Sequence, residues 1–152
     1  MVNIIHRIGI KAPVFKVYNA LSTLEGLSGW WAEEVEGDSK IGGNLTFSFR
    51  SKSGELLGKM VMKVRELNAS KLVVWDCVDG PAEWIGTNIK FELSEHDNQT
   101  IVLFGHENWI EAVEFTAHCS MKWAIFLLSL RQYVETGLGK PSPHDIKIDN
   151  WN

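Results

Sequence analysis

Trp123-Ala124-Ile125-Phe126-Leu127-Leu128-Ser129-Leu130-Arg131-Gln132-Tyr133 decides the fold of this chain. It holds the longest apolar run and reads as part of one long helix. Gly137 and Gly139 supply a stop, and Pro141 and Pro143 forbid resumption. The helix is therefore expected to start between residues 112 and 118 and to end at Gly137. The polar tail from residue 138 to 152 is expected on the surface or partly disordered.

Upstream of that helix the period changes from helical to two. Ile4, His6, Ile8 and Ile10 share one face of a first strand. Ala12-Pro13 breaks it, and Val14, Val17, Tyr18 and Leu21 give the spacing of a short helix. Ser22-Thr23 caps a second short helix, with Leu24 and Leu27 on its apolar side. It runs into Gly29-Trp30-Trp31, and the acidic stretch Glu33 to Asp38 has no clear pattern.

Alternation then resumes. Leu45, Phe47 and Phe49 form one strand face, and Met60, Met62 and Val64 another. Leu72 to Val78, carrying Trp75 and Cys77, is a strongly apolar strand ended by Asp79-Gly80-Pro81. Thr87, Ile89, Phe91 and Leu93 follow, and Thr100 to Glu107 forms the last strand. Ser51 to Gly54, Asn68 to Ser70 and Glu95 to Gln99 are turns by composition. Strands joined by such short turns run antiparallel. The pattern predicts an α+β domain with a six- to seven-stranded antiparallel sheet curled around a long C-terminal helix. Two short helices follow the first strand, and a cavity opens where sheet and helix diverge.

The ordered set of Ile8-Gly9-Ile10-Lys11-Ala12-Pro13, Val17 to Leu21, Trp30-Trp31, Phe91-Glu92-Leu93, His106-Glu107-Asn108-Trp109 and Trp123 to Tyr133 with Gly137 carries a resemblance. It resembles the START-like (SRPBCC, Bet v 1-like) helix-grip superfamily. Within that, it looks like the family named for the activator of heat shock protein 90 ATPase homologue. The resemblance spans roughly residues 2 to 137, one helix-grip domain from residue 1 with the tail outside it. In that family the His-bearing strand end is commonly followed by Gly and an aromatic, whereas this chain has Asn108 before Trp109. The fold hosts lipid carriers, receptors, cyclases and co-chaperone domains alike, so the resemblance implies a fold more than a function.

Composition excludes several functions. The net charge is -4 with both signs interspersed, which leaves no basic stripe for nucleic acid or for an anionic membrane surface. The start, Met1 to Arg7, lacks a signal-peptide pattern, and no apolar run is long enough to span a bilayer. A cytoplasmic protein is expected, with Cys77 and Cys119 reduced and unpaired. The histidines His6, His96, His106, His118 and His144 form neither HxxxH nor HExxH, and the cysteines lack CxxC spacing. No metal or other cofactor is expected.

Candidate chemistry is sparse. Cys77 with His106 is a conceivable nucleophile pair, but a small buried hydrophobe is the preferred reading of Cys77. His106 shares a face with Val102 and Phe104, where it serves as a general base, as a ligand-orienting donor or, the preferred reading, as a hydrogen-bonded core histidine. No catalytic residue is assigned.

The aromatic content points elsewhere. The chain has 7 Trp and 7 Phe but 2 Tyr, and rings concentrated on strands and one helix suggest walls around a space. The expected ligand-binding residues are Trp31, Phe47, Phe49, Trp75, Cys77 and Phe91 from the first six strands and their connections. Phe104, His106, Trp109, Trp123 and Leu127 complete the set. A small hydrophobic ligand, aromatic or lipid-like, is the leading expectation. The resemblance also implies a possible chaperone partner, ranked lower because stand-alone domains of this kind lack the extra partner-binding domain. A polyketide cyclase- or dehydratase-like enzyme using His106 is the third reading. The sequence leaves the oligomeric state open.

Overall fold

Alternation along the chain translates directly into strands. A computed structural model of the chain, describing residues 1–152, has β1 (Val2–Ile10), α1 (Val14–Ser22), α2 (Leu24–Trp30), β2 (Glu34–Gly37), β3 (Asn44–Arg50) and β4 (Leu56–Asn68). There follow β5 (Leu72–Asp79), a 3₁₀ turn at Ala82–Trp84, β6 (Asn88–His96), β7 (Gln99–Trp109) and α3 (Glu114–Thr136). All neighbouring strands pair antiparallel, in the order β1-β7-β6-β5-β4-β3-β2. This is the α+β helix-grip architecture, with seven strands.

The seventh strand is the acidic stretch that the sequence left unassigned. Glu34 to Gly37 pairs with Ser48 to Leu45 as an edge strand. Exposed carboxylates there suit an edge, because charge blocks further strand addition. Glu34 accepts from Arg50 Nε at 2.6 Å across the pair.

The long strand β4 bends the sheet. Its register with β5 shifts between Val61 and Met62 and again between Val64 and Glu66. Such bulges add local twist and curvature, which is what a sheet needs to wrap a helix. The short helices close one end. Pro13 precedes α1, and the Thr23 hydroxyl accepts from the Gly26 N–H at 3.0 Å to cap α2. Gly26 is required by closeness, since a Cβ there would lie 2.5 Å from Ala20 Cα.

α3 ends on Gly137, whose φ of 86° is the left-handed C-cap that favours glycine. One face of α3 is buried at Cys119, Lys122, Trp123, Phe126, Leu127 and Leu130. No helix is long and apolar enough to cross a membrane. At the end of β7, Asn108 adopts a φ of 70°. Asparagine is among the side chains that tolerate this region, so it takes the turn for which glycine is the usual residue. Its side chain also donates to Asn88 Oδ1 at 2.6 Å.

Most of the tail is exposed, but it is anchored: Pro141, Ser142 and Asp145 are buried. Ser142 N–H donates to the Trp31 carbonyl at 2.7 Å, and the Ser142 carbonyl accepts from Glu33 N–H at 3.1 Å. The tail therefore crosses the molecule beside α3 as an added layer.

Candidate functional site

The space between sheet and α3 is filled, not hollow, over most of its length. Trp31 stacks on Trp75 with centroids 5.8 Å apart and planes 6° from parallel. Trp75 meets Phe91 at 5.2 Å, Phe91 meets Phe104 at 5.3 Å, and Phe104 meets Trp123 at 4.6 Å. Trp123 returns to Trp31 at 5.1 Å and closes a circuit of five rings from α2's end, three strands and α3. Separations of this size are those of favourable ring pairs, so each ring uses its neighbours as its packing surface.

The cavity opens at one end of that circuit. It is a cleft of about 560 Å³ between the β3–β4 hairpin, the Asp79–Trp84 connection, the first half of α3 and the tail. Trp31, Phe49, Met60, Trp84, Trp123 and Phe126 give it apolar walls. Arg50, Lys59, Asp79, Lys122, Asp145 and Lys147 bring charge to it. Trp84 stacks on Trp123 at 5.9 Å, and its indole N–H donates to Cys119 Sγ at 3.4 Å. That contact fixes the 3₁₀ turn against α3.

Of the eleven expected ligand-binding residues, Trp31, Phe49 and Trp123 reach this cleft. Phe47, Trp75, Phe91 and Phe104 lie behind it in the sealed aromatic core, and Leu127 is buried with them. Cys77 is buried, and burial pushes its thiol up to about 11. Cys119 is pushed up to about 12 for the same reason, so neither sulfur is a thiolate near neutral pH. The cysteines are unpaired.

His106 is fully buried between Trp84, Trp109 and Trp123. Trp123 Nε1–H donates to His106 Nδ1 at 3.1 Å, which leaves the ring proton on Nε2. That proton is donated to Thr87 Oγ1 at 2.8 Å, and the Thr87 hydroxyl donates to the Trp84 carbonyl at 2.6 Å. Burial lowers the His106 pKa to about 3, so it is a neutral imidazole. Both nitrogens are spent on protein partners. The ring acts as a strut joining β7, the Thr87 connection ahead of β6, and α3, and it has no free donor to orient a ligand. Trp109 packs on it at 4.8 Å, away from the cleft.

Several cleft residues escaped sequence reasoning. Lys122 carried a usable signal: it lies three residues after Cys119 and four before Phe126, on the buried face of α3. Trp84 follows a Gly-Pro turn with no periodicity to place it. Asp145, Lys147 and Trp151 sit in a tail without any pattern, and only the docking of that tail brings them to the cleft.

Residues 11–135 match the family model described as Activator of Hsp90 ATPase homolog 1-like protein. The Aha1 dimer from Colwellia psychrerythraea, solved in solution, is 43% identical, with a TM-score of 0.78 over 91% of this chain and 100% of that one. CalU16 from Micromonospora echinospora, also solved in solution, is 20% identical with a TM-score of 0.75, over 97% of this chain and 74% of that one. The AHSA1-like protein from Aeromonas hydrophila is 15% identical with a TM-score of 0.73, over 90% and 94%. The last two likenesses are of fold alone. No curated protein matches the chain in sequence.

Proposed function

We propose a binding function for this chain, which belongs to the family of Activator of Hsp90 ATPase homolog 1-like proteins. Its ligand is a small hydrophobic molecule, aromatic or lipid-like, held in the cleft between sheet and α3 in a cytoplasmic setting. The observation that carries this is the cleft itself. A volume of about 560 Å³ with aromatic walls and a few charged groups is the usual form of a small-molecule site. Trp31, Phe49 and Trp123 are the contacts of this site, with Trp84, Met60 and Phe126 beside them. Phe47, Trp75, Phe91, Phe104 and Leu127 form the rigid layer behind. Catalysis by His106 finds no support in an imidazole bonded at both nitrogens.

Trp31, Trp84, Trp123 and Trp151 line the cleft, so tryptophan fluorescence reads its occupancy directly. Decanol added to the protein should quench that fluorescence saturably, and native mass spectrometry of freshly purified protein should reveal a bound small molecule. Linear, unsaturable quenching together with a bare mass would overturn the proposal.

A second function, action on a chaperone ATPase, is favoured by the family description and by the 43% identical Aha1. Stimulation of a purified Hsp90-type ATPase by the full chain is its test, and an unchanged rate at saturating protein would remove it.

A further inference from the structure

Lys122 is the group that the cleft does not need for packing. Lysine is seldom buried unless paired, yet Lys122 is only 9% exposed. Its Nζ donates to Asp145 Oδ2 and, at 2.9 Å, to the Ile146 carbonyl, and it stands 5.1 Å from the centre of the Phe126 ring. A cation is thus fixed on an aromatic wall, with its charge met by a residue from the tail.

Asp145 is an imperfect occupant of that position. It is 6% exposed, and Oδ2 takes the bond from Lys122 and a long one, 3.4 Å, from Asn152. Oδ1 is buried with no hydrogen-bond partner. A buried carboxylate oxygen without a donor is desolvated for no return, and releasing it to water recovers that cost. The segment is also built to release. The last backbone-to-backbone bonds tying the tail to the body are those of Ser142. Beyond it, the attachments run through side chains: Lys122 to Asp145 and to the Ile146 carbonyl, His144 to Glu33, His118 to Asp149, and Trp151 against Phe115 and His118.

The charge of the cleft points the same way. In a chain of net charge -4 it gathers Arg50, Lys59, Lys122 and Lys147 against Asp79 and Asp145. With residues 144–152 swung away, Lys147 leaves with Asp145, and Lys59, Lys122 and the Glu34-paired Arg50 remain in the cleft with Asp79.

We infer that the ligand is an amphiphilic carboxylate whose head group pairs with Lys122, and that Asp145 is a resident stand-in which the ligand displaces. The inference rests on the binding function proposed above and names its ligand class. The apolar body lies along Trp31, Phe49, Trp84 and Trp123, while residues 144–152 swing away and the Ser142 anchor holds.

Decanoate and decanol differ only in the head group and serve as probes, with affinity read by tryptophan fluorescence on the full chain. The wild type should bind decanoate at least about tenfold more tightly than decanol, the scale of one charge-assisted hydrogen bond. Lys122→Met should abolish that preference. Asp145→Asn should raise decanoate affinity several-fold and leave decanol unchanged. Because Lys122→Met alone leaves Asp145 buried without its cation, the double variant with Asp145→Asn repeats the comparison in a neutral background. Decanoate, and not decanol, should speed deuterium exchange in residues 144–152. Equal binding of the two probes, or weaker decanoate binding by Asp145→Asn, overturns the inference while the hydrophobic cleft stands. Failure of both probes to bind overturns the cleft function as well.

Discussion

Phe47 and Phe49 lie two residues apart on the same strand and face the same side of the sheet, yet they do different work. Phe47 is fully buried, 4.3 Å from Trp31 and 6.0 Å from Trp75, inside the ring circuit. Phe49 is half-buried, meets Trp31 at 5.7 Å and turns its other side to the cleft. One is sealed because Trp31, at the end of α2, and Trp75 of β5 cover it. The other lies where the β3–β4 hairpin runs past the end of that cover. Aromatic content alone therefore does not define a wall. A ring lines a cavity only where its neighbours stop.

The comparison breaks most sharply at Trp75, the centre of the sealed region. Trp75→Ala should cost about 3–5 kcal/mol of stability by chemical denaturation, the range for deleting a large buried ring. A loss below about 1 kcal/mol would mean that the circuit is loosely packed and that the two regions are alike.

His106 tests the sealed region through pH. Its pKa drops from an ordinary 6.5 to about 3 on folding. Between those values the unfolded chain binds a proton that the folded chain refuses, so stability falls as pH falls through this window. Above pH 6.5 the contribution is fully present. From pH 7.5 to pH 5 the wild type should lose about 2 kcal/mol that His106→Gln does not lose. Parallel pH–stability curves for the two proteins would show that the imidazole is reached by water. Decanol affinity should be the same in both, because His106 is outside the cleft.

Phe49→Ala should give the smallest change in stability, under about 1 kcal/mol for a half-exposed side chain at a strand end. It should nevertheless weaken decanol binding several-fold. A large loss of stability with unchanged decanol binding would place Phe49 in the core with Phe47.

The fold was legible because its signals are local. Period-two alternation, turn residues and a helix stop at Gly137 are each read within a few residues, and together they leave one way to cover the sheet. The edge strand Glu34–Gly37 was not legible, since in a four-residue edge strand a single inward residue, Val35, is too little to show alternation. The candidate site was legible only in part. Alternation gave Phe47 and Phe49, Phe91, and Phe104 and His106 as apolar strand faces, and all of these except the half-buried Phe49 are buried, as is Trp75. It could not say which of them another ring would cover.

By itself, then, the sequence determined the order of elements, the facing of each strand and the aromatic filling of the interior, because these follow from backbone periodicity and side-chain size. The tertiary structure alone decided where that filling ends. The bulges of β4 set how far the sheet curls, and α3 seals the rings it lies against. The docked tail then brings Asp145 to Lys122, 23 residues away in sequence. A contact of that kind depends on where two surfaces meet in space, and no local pattern encodes it.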